Sequence, residues 1–555
     1  MENQTSFFKN VIYLVVFALL LRLNGFFASF SYDEIWSLEN FANLSVYDIF
    51  TQLKLPNNHP LNTLFIKAIC NLNLNFFLIR LLPLLSGVGV VCLLAVIAKE
   101  LLKSKYSILV VLIASLFNYP LICFSQVARG YQLQCFLLLV YSLSLIFAYK
   151  QSQLNNKNLP VKKNGNLLIF IGLALGSLGA IATLSTSAIY LTISTLAIWV
   201  YYNFTLPKKE FLLTIVCSAI IGIIYLGSNY LELTIAAQQW GVKVDNWAQI
   251  KLFAQNSITP LVSYCSLVLL LGCFFIKKRE DTKSAILLLA LIVIPFLTAF
   301  ITNAGPARTY LPCVLSFILL LGFSVDLIFT KFTEKKNIVY LVLSITALTS
   351  LGDMFWQKRY WQFDDTIKIF NETKKLSKDI MVVYSASLSF PLAWNNSLDA
   401  FEDFSERLAN GAELKELLML DDDNKINGLD DNKSEATFKV SGPKATFDFF
   451  DRKKGLFYQL VPIEKNSLIS KDETILVVLS CYDKVLYHET IATLKKIGTV
   501  LILNPWLNRE NENGRILLSV KIKESFLENT LTSANSDVII YLIKPKLGTI
   551  KNSNL

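Results

Sequence analysis

Histidine is nearly missing from this chain: His59 and His488 are the only two among 555 residues. That scarcity removes the ingredients of histidine-rich metal centres and of most Ser-His and Cys-His hydrolase schemes. The nine cysteines form no CxxC pair and no metal-ligand spacing, and Cys92, Cys123 and Cys135 sit inside apolar runs, which marks them as packing residues. Charge is thin as well, 17% of residues against 53% hydrophobic, with a mean hydropathy of +0.47. Water-soluble domains carry about 25% charged residues, so lipid is the expected solvent. The net charge of +10 does not call for nucleic acid, because the basic residues fall in short loops between apolar runs, where they set orientation in a membrane. The first apolar run lacks a small-residue cleavage site and many further runs follow it, so it is expected to be a retained anchor.

What the chain has in abundance is long apolar runs. A bilayer core needs roughly 20 apolar residues per helix. Eleven runs near that length lie at 11–28, 77–98, 106–123, 131–149, 166–182, 186–203, 211–230, 258–276, 284–302, 310–330 and 337–352. The stretch 166–203 is divided only by the polar patch Thr183, Ser185, Thr186, Ser187, which predicts a tight hairpin. Lysine and arginine gather in alternate connections (1–10, 99–105, 150–163, 204–210, 277–283, 331–336), in clusters such as Lys277, Lys278, Arg279. They are sparse in the others (28–75, 124–130, 183–186, 231–257, 303–309). The positive-inside rule then places the N-terminus in the cytoplasm, and an odd number of spans sends the C-terminal region outside.

Beyond about residue 353 the apolar runs shorten to strand length: Ile380–Tyr384, Leu456–Val461, Ile475–Leu479, Val500–Leu503, Ile516–Val520 and Val538–Ile543. They alternate with polar, helix-like stretches such as Asp364–Leu376 and Phe401–Leu420. The expected fold is thus a polytopic, all-α membrane domain of about eleven transmembrane helices over 1–352. A smaller α/β or α+β extracytoplasmic domain follows over 353–555. Asp421–Lys433 has only a superficial likeness to a calcium loop, since Lys425 occupies a ligand position and no glutamate closes it.

The first outer loop, 28–75, opens with Ser31-Tyr32-Asp33-Glu34. Ile35, Leu38, Ala42, Val46, Ile49 and Leu53 follow at three- and four-residue spacing, which predicts an amphipathic helix on the membrane surface. Asn57-Asn58-His59-Pro60-Leu61 then leads into a short apolar helix reaching Lys67. On the same side lie Arg129, in Ser125-Gln126-Val127-Ala128-Arg129-Gly130-Tyr131, and Arg308, in Gly305-Pro306-Ala307-Arg308-Thr309-Tyr310-Leu311-Pro312. Arg22 and Arg80 sit near the outer ends of apolar runs, where snorkelling to lipid head groups and a functional role are equally good readings. Asp33 and Glu34 taken alone are more simply the acidic start of a surface helix, and His59 alone a hydrogen-bonded structural residue. A carboxylate at the water–lipid boundary also suits one reaction, the transfer of a sugar from a lipid phosphate to a hydroxyl, for which it would draw off the acceptor's proton. A single displacement of this kind inverts the anomeric configuration. Arginine forks suit the leaving phosphate.

Taken together these motifs resemble the GT-C membrane glycosyltransferases, in the branch containing protein O-mannosyltransferases and bacterial lipid A aminoarabinose transferases. The resemblance covers roughly residues 1–352. It implies Asp33 as catalytic base, Glu34 as a sugar or acceptor contact, and His59, Arg129 and Arg308 as donor-side residues. Tyr131 and Tyr310 beside the arginines, with Lys67 and Arg80, complete the candidate phosphate- and substrate-binding set. The implied donor is a polyprenyl-phosphate sugar at the outer face of a bacterial cytoplasmic membrane, and the acceptor is left open among lipid, glycan and protein. No cofactor is called for, although a divalent cation is compatible with the chemistry. Two departures stand out: Pro60 is followed by Leu61 where the family often has a second proline, and the C-terminal region shows no motif of the additional mannosyltransferase domain. The rival readings are a transporter or flippase of lipid-linked sugars, which calls for an inverted repeat that the chain does not show, and a polysaccharide polymerase or O-antigen ligase.

Overall fold

A computed structural model describes residues 13, 15–23, 26–27, 30, 32–53, 58–156, 164–240, 268, 272, 279–302, 307–331, 337, 340–342 and 344–349, and seven short strands between 447 and 545. Contacts divide the chain into two compact units, Met1–Phe27 with Phe41–Gln357 and Ala28–Asn40 with Lys358–Leu555.

The first unit is helical. After helical residues 15–23 comes α1 (Tyr32–Phe41), which belongs to the second unit except for its last residue, and the first unit continues with α2 (Val46–Thr51) and α3 (Pro60–Asn71). A 3-10 turn (Phe76–Arg80) runs into α4 (Leu81–Leu101), then α5 (Lys105–Phe117), α6 (Tyr119–Ser125), α7 (Gly130–Asn156) and α8 (Asn164–Thr183). α9 (Ser187–Tyr201), α10 (Lys209–Ser228), α11 (Tyr230–Trp240), α12 (Arg279–Thr302), a second 3-10 turn (Ala307–Tyr310) and α13 (Leu311–Lys331) follow. Among the described residues five helices are long and apolar enough to cross a bilayer: Phe77–Leu101, Gly130–Gln153, Asn166–Thr183, Lys209–Ser228 and Leu311–Thr330. α5 and α6 count as a sixth if taken together. The chain is a multi-pass integral membrane protein. Shorter apolar helices, Ser187–Tyr201, Ser284–Pro295 and Tyr340–Thr349, lie in three more of the expected spans. The expected span 258–276 apart from residues 268 and 272, the strand Ile380–Tyr384, the helical stretches Asp364–Leu376 and Phe401–Leu420, and the acidic loop Asp421–Lys433 lie outside the described residues.

Burial separates central from peripheral helices. α13 has 89% of its apolar window buried, so it runs through the middle of the bundle, whereas α10 has 17% and shows Leu213, Ile220, Ile223 and Ile224 outward as a lipid-facing surface. The expected span 106–123 is bent by 51° between α5 and α6. Asn118 caps the second piece, its side chain accepting from the Leu121 N–H at 3.1 Å, and Pro120 has no N–H to continue the first. At the opposite end of α5, Asp326 of α13 is 5% exposed and accepts from the N–H groups of Lys103 (3.2 Å) and Ser104 (2.6 Å). A carboxylate thus meets the positive start of α5. The polar patch between α8 and α9 forms the expected hairpin, with the Ser187 hydroxyl donating to Ala180 O at 2.8 Å and Thr183 to Gly179 O at 2.7 Å.

The amphipathic stretch of the first loop is two helices instead of one. α1 ends at Phe41, and Ser45 starts α2 by accepting from the Asp48 N–H at 3.1 Å. Hydrophobic spacing alone misses this, because the break is made by a local cap that competes with helix continuation.

In the second unit, strands run at β1 (Phe447–Asp451), β2 (Leu456–Leu460), β3 (Ile475–Leu479), β4 (Gly498–Ile502), β5 (Arg509–Glu510), β6 (Ile516–Leu517) and β7 (Ile539–Pro545). β7 lies between β3 and β4 in an antiparallel sheet, Val477 opposite Tyr541 and Val500 opposite Ile543. β1 pairs with β2, and β5 with β6, as separate antiparallel ladders.

Candidate functional site

The site begins with a proline. Pro60 occupies the first turn of α3, where its fixed φ suits a helix and its missing N–H is not needed. Asn58 locks the approach: its Nδ2 donates to Ile49 O (2.9 Å) and Gln52 O (3.0 Å), and its Oδ1 accepts from the Thr63 hydroxyl at 3.1 Å. His59, 2% exposed, sits at the cap position but its side chain does not cap the helix. The imidazole meets the ring of Tyr131 edge to face, with centroids 5.0 Å apart.

Tyr131 belongs to the second motif, at the start of α7. Phe124 packs on it at 5.2 Å between ring centroids. Arg129, 1% exposed, donates from Nη2 to the Tyr131 hydroxyl at 3.3 Å, and its guanidinium lies 5.6 Å from the same ring's centroid. The backbone turns tightly here, Arg129 N–H donating to Val127 O at 2.7 Å. Gly130 is required by close approach: a Cβ there would stand 2.7 Å from Thr183 Cγ2 and 3.0 Å from His59 Cβ. His59, Arg129 and Tyr131, picked from two motifs some seventy residues apart in sequence, therefore form one buried cluster.

The Ser125–Tyr131 segment is pinned from two directions. Asn62 of α3 donates from Nδ2 to Ala128 O at 3.1 Å, and Gln126 donates to Leu21 O at 3.5 Å. Arg22 beside it is fully buried, its Nη1 donating to Ala18 O at 3.2 Å, and Gly87 leaves room for it, since a Cβ there would stand 3.0 Å from Arg22 Nε and 2.5 Å from Ser125 Cβ. Burial of both Arg22 and Arg80 inside the protein rules out snorkelling to lipid head groups for either. Arg80 donates to Phe26 O at 2.9 Å, and Lys67 donates to Ala42 O at 3.2 Å.

Asp33 and Glu34 lie in the first turn of α1, and the Ser37 hydroxyl donates to Asp33 O at 2.8 Å. Glu34 is 0% exposed and Asp33 partly exposed. An acidic pair that merely began a surface helix would leave both carboxylates in water, so the burial of Glu34 departs from that simpler meaning. Both residues belong to the second unit, the His59–Arg129–Tyr131 cluster to the first. Arg308 falls in the 3-10 turn Ala307–Tyr310; its side chain lies outside the described residues. Tyr310 is buried at the same turn, where the Tyr190 hydroxyl donates to Thr309 O at 3.3 Å. Tyr190 also lines an apolar cavity of about 70 Å³ among α4, α7, α9, α12 and α13, with Ser194, Leu287 and Leu315. Among the described residues no group of three or more His, Cys, Asp or Glu is placed to hold a metal ion.

Sequence reasoning missed the buried carboxamides: Asn62, Gln132 and Gln134 are each at most 1% exposed. Gln134 donates to the hydroxyls of Thr186 (3.2 Å) and Ser187 (2.9 Å), tying the start of α7 to the hairpin. The signal was the expense of an amide inside an apolar helix, which marks it as placed for a reason.

No protein-family model and no curated protein sequence matches the chain. Solved structures similar to it include ArnT from Cupriavidus metallidurans in the apo state, at 12% identity and TM-score 0.39 over 58% of this chain and 60% of that one. They also include the same protein bound to undecaprenyl phosphate, at 10% identity and TM-score 0.44 over 98% and 99% of the two chains. A third is the archaeal oligosaccharyltransferase AglB from Archaeoglobus fulgidus, in complex with an inhibitory peptide and a dolichol-phosphate, at 10% identity and TM-score 0.41 over 89% of this chain and 73% of that one.

Proposed function

We propose that the protein is a membrane glycosyltransferase of the GT-C type, which moves one sugar from a polyprenyl-phosphate donor to an acceptor hydroxyl at the outer face of the cytoplasmic membrane. The observation that carries this reading is the convergence of His59, Arg129 and Tyr131 into one buried cluster. A guanidinium fork at the start of a long span has the geometry to take phosphate oxygens in pairs, and a lipid phosphate is the anion a membrane supplies.

The chemistry is a single displacement. The acceptor oxygen attacks the anomeric carbon and its proton passes to the Asp33 carboxylate. The bond from that carbon to the phosphate oxygen breaks, and the electron pair leaves on the polyprenyl phosphate, with Arg129 and Arg308 balancing its charge. The product is inverted at the anomeric carbon. Glu34 contacts the sugar or the acceptor, and the C-terminal residues 353–555 form an extracytoplasmic domain.

The test uses purified protein in nanodiscs with undecaprenyl-phosphate-linked sugars. Release of undecaprenyl phosphate together with a new glycoside of inverted configuration supports the reading. Movement of the intact donor across liposomes without any glycosidic transfer overturns it in favour of a flippase.

A further inference from the structure

We infer that Asn62 is a positioning residue for Arg129, acting through the backbone of the Ser125–Tyr131 segment. The inference rests on the proposed donor-binding role of Arg129 and names the residue that sets its geometry. Asn62 lies in the first turn of α3, three residues beyond His59, and is 1% exposed. Its Nδ2 donates to Ala128 O at 3.1 Å, which fixes the peptide immediately before Arg129. That peptide belongs to a tight turn closed by Arg129 N–H on Val127 O at 2.7 Å, so a small rotation at Ala128 re-aims the whole guanidinium.

The other end of the same amide argues that this bond is the reason for the residue. Asn62 Oδ1 is buried with no hydrogen-bond partner among the described residues. An amide with one of its two ends unsatisfied costs more to bury than a leucine of similar size, so a residue kept for packing alone would not be an asparagine. Asn62 also couples the two halves of the cluster. His59 stands at the cap of α3 and Tyr131 in the first turn of α7, and the Asn62–Ala128 bond ties α3 to the segment that leads into α7, next to the place where those rings meet.

The experiment is a double-mutant cycle on the full chain in nanodiscs, read as binding of undecaprenyl phosphate. Asn62→Ala and Asn62→Leu are each made in the wild-type and Arg129→Ala backgrounds, the leucine variant preserving bulk should the alanine variant fold poorly. A positioning residue gives about a tenfold loss of affinity when Arg129 is present and no further loss when it is absent. Equal losses in both backgrounds, or no loss with Arg129 present, overturn the inference while leaving the donor reading intact. Wild-type protein that binds no undecaprenyl phosphate overturns that reading, and this inference with it.

Discussion

At Gly130 a methyl group in place of one hydrogen would crowd the cluster of His59, Arg129 and Tyr131. A Cβ there would overlap Thr183 and press on His59, two groups held by the hairpin and by α3. Gly130→Ala is expected to displace the imidazole from Tyr131 and to slow sugar transfer by about a hundredfold, with overpacking costing roughly 1–3 kcal/mol of stability. Steady-state turnover beside a thermal melt checks this, and unchanged turnover would mean that His59 has no part in the reaction. Arg129→Lys keeps the charge but loses the planar fork that meets the Tyr131 hydroxyl and that is proposed to take phosphate oxygens. Turnover is expected to fall at least tenfold, with the loss in donor KM if Arg129 only binds and in kcat if it steadies the leaving phosphate. His59, Arg129 and Tyr131 were legible in the sequence because each stands in a short motif with proline, glycine or aromatic neighbours. Asn62 and Gln132 were not, because a carboxamide in an apolar helix has no spacing of its own and shows its purpose only in the atom it meets.

Among the elements, the contact between α13 and the start of α5 is the clearest stabilising device. Asp326 accepts from two backbone N–H groups that no helical carbonyl can reach. Asp326→Ala is expected to lower stability by about 1.5–3 kcal/mol, read as a lower melting temperature in detergent, with turnover retained below the melt. An unchanged melt would show that water satisfies those N–H groups equally well. Lys150 of α7 and Glu100 of α4 form an ion pair, and the stacked rings of Tyr149 and Tyr202, 4.8 Å between centroids, join α7 to the end of α9. At this scale the sequence was readable where polarity interrupts an apolar run, as at Thr183–Ser187. It was unreadable where a cap breaks a well-patterned helix, as Ser45 does between α1 and α2. The bend at Asn118 belongs with the latter, since Pro120 sits in a run whose hydropathy alone gives one straight span.

For the molecule as a whole, composition settled the solvent, and charge carries the proposed orientation. The clusters at 150–163 and 277–283 are proposed to face the cytoplasm and the first loop the outside. A green fluorescent reporter inserted in 157–163 should therefore fluoresce, while alkaline phosphatase fused after residue 555 should be active beyond the membrane. The reverse pattern would put Asp33 on the wrong side for a donor presented outside. The spanning helices of the first unit fall where long apolar runs lie, because length against the bilayer thickness is a property of the chain itself, and β2, β3, β4, β6 and β7 overlap the short runs, whereas β1 and β5 fall outside them. The grouping of 28–40 with the C-terminal unit was not legible, since it depends on contacts between segments more than three hundred residues apart.

The base assignment meets its sharpest test in a turnover measurement on Asp33→Asn, purified in nanodiscs with undecaprenyl-phosphate-linked sugar. Asparagine keeps the size of the side chain and removes its ability to take a proton. Transfer is expected to fall by roughly 10²–10⁴ while undecaprenyl phosphate still binds with wild-type affinity. Turnover close to that of the wild type would contradict Asp33 as the base and, with it, the proposed single displacement.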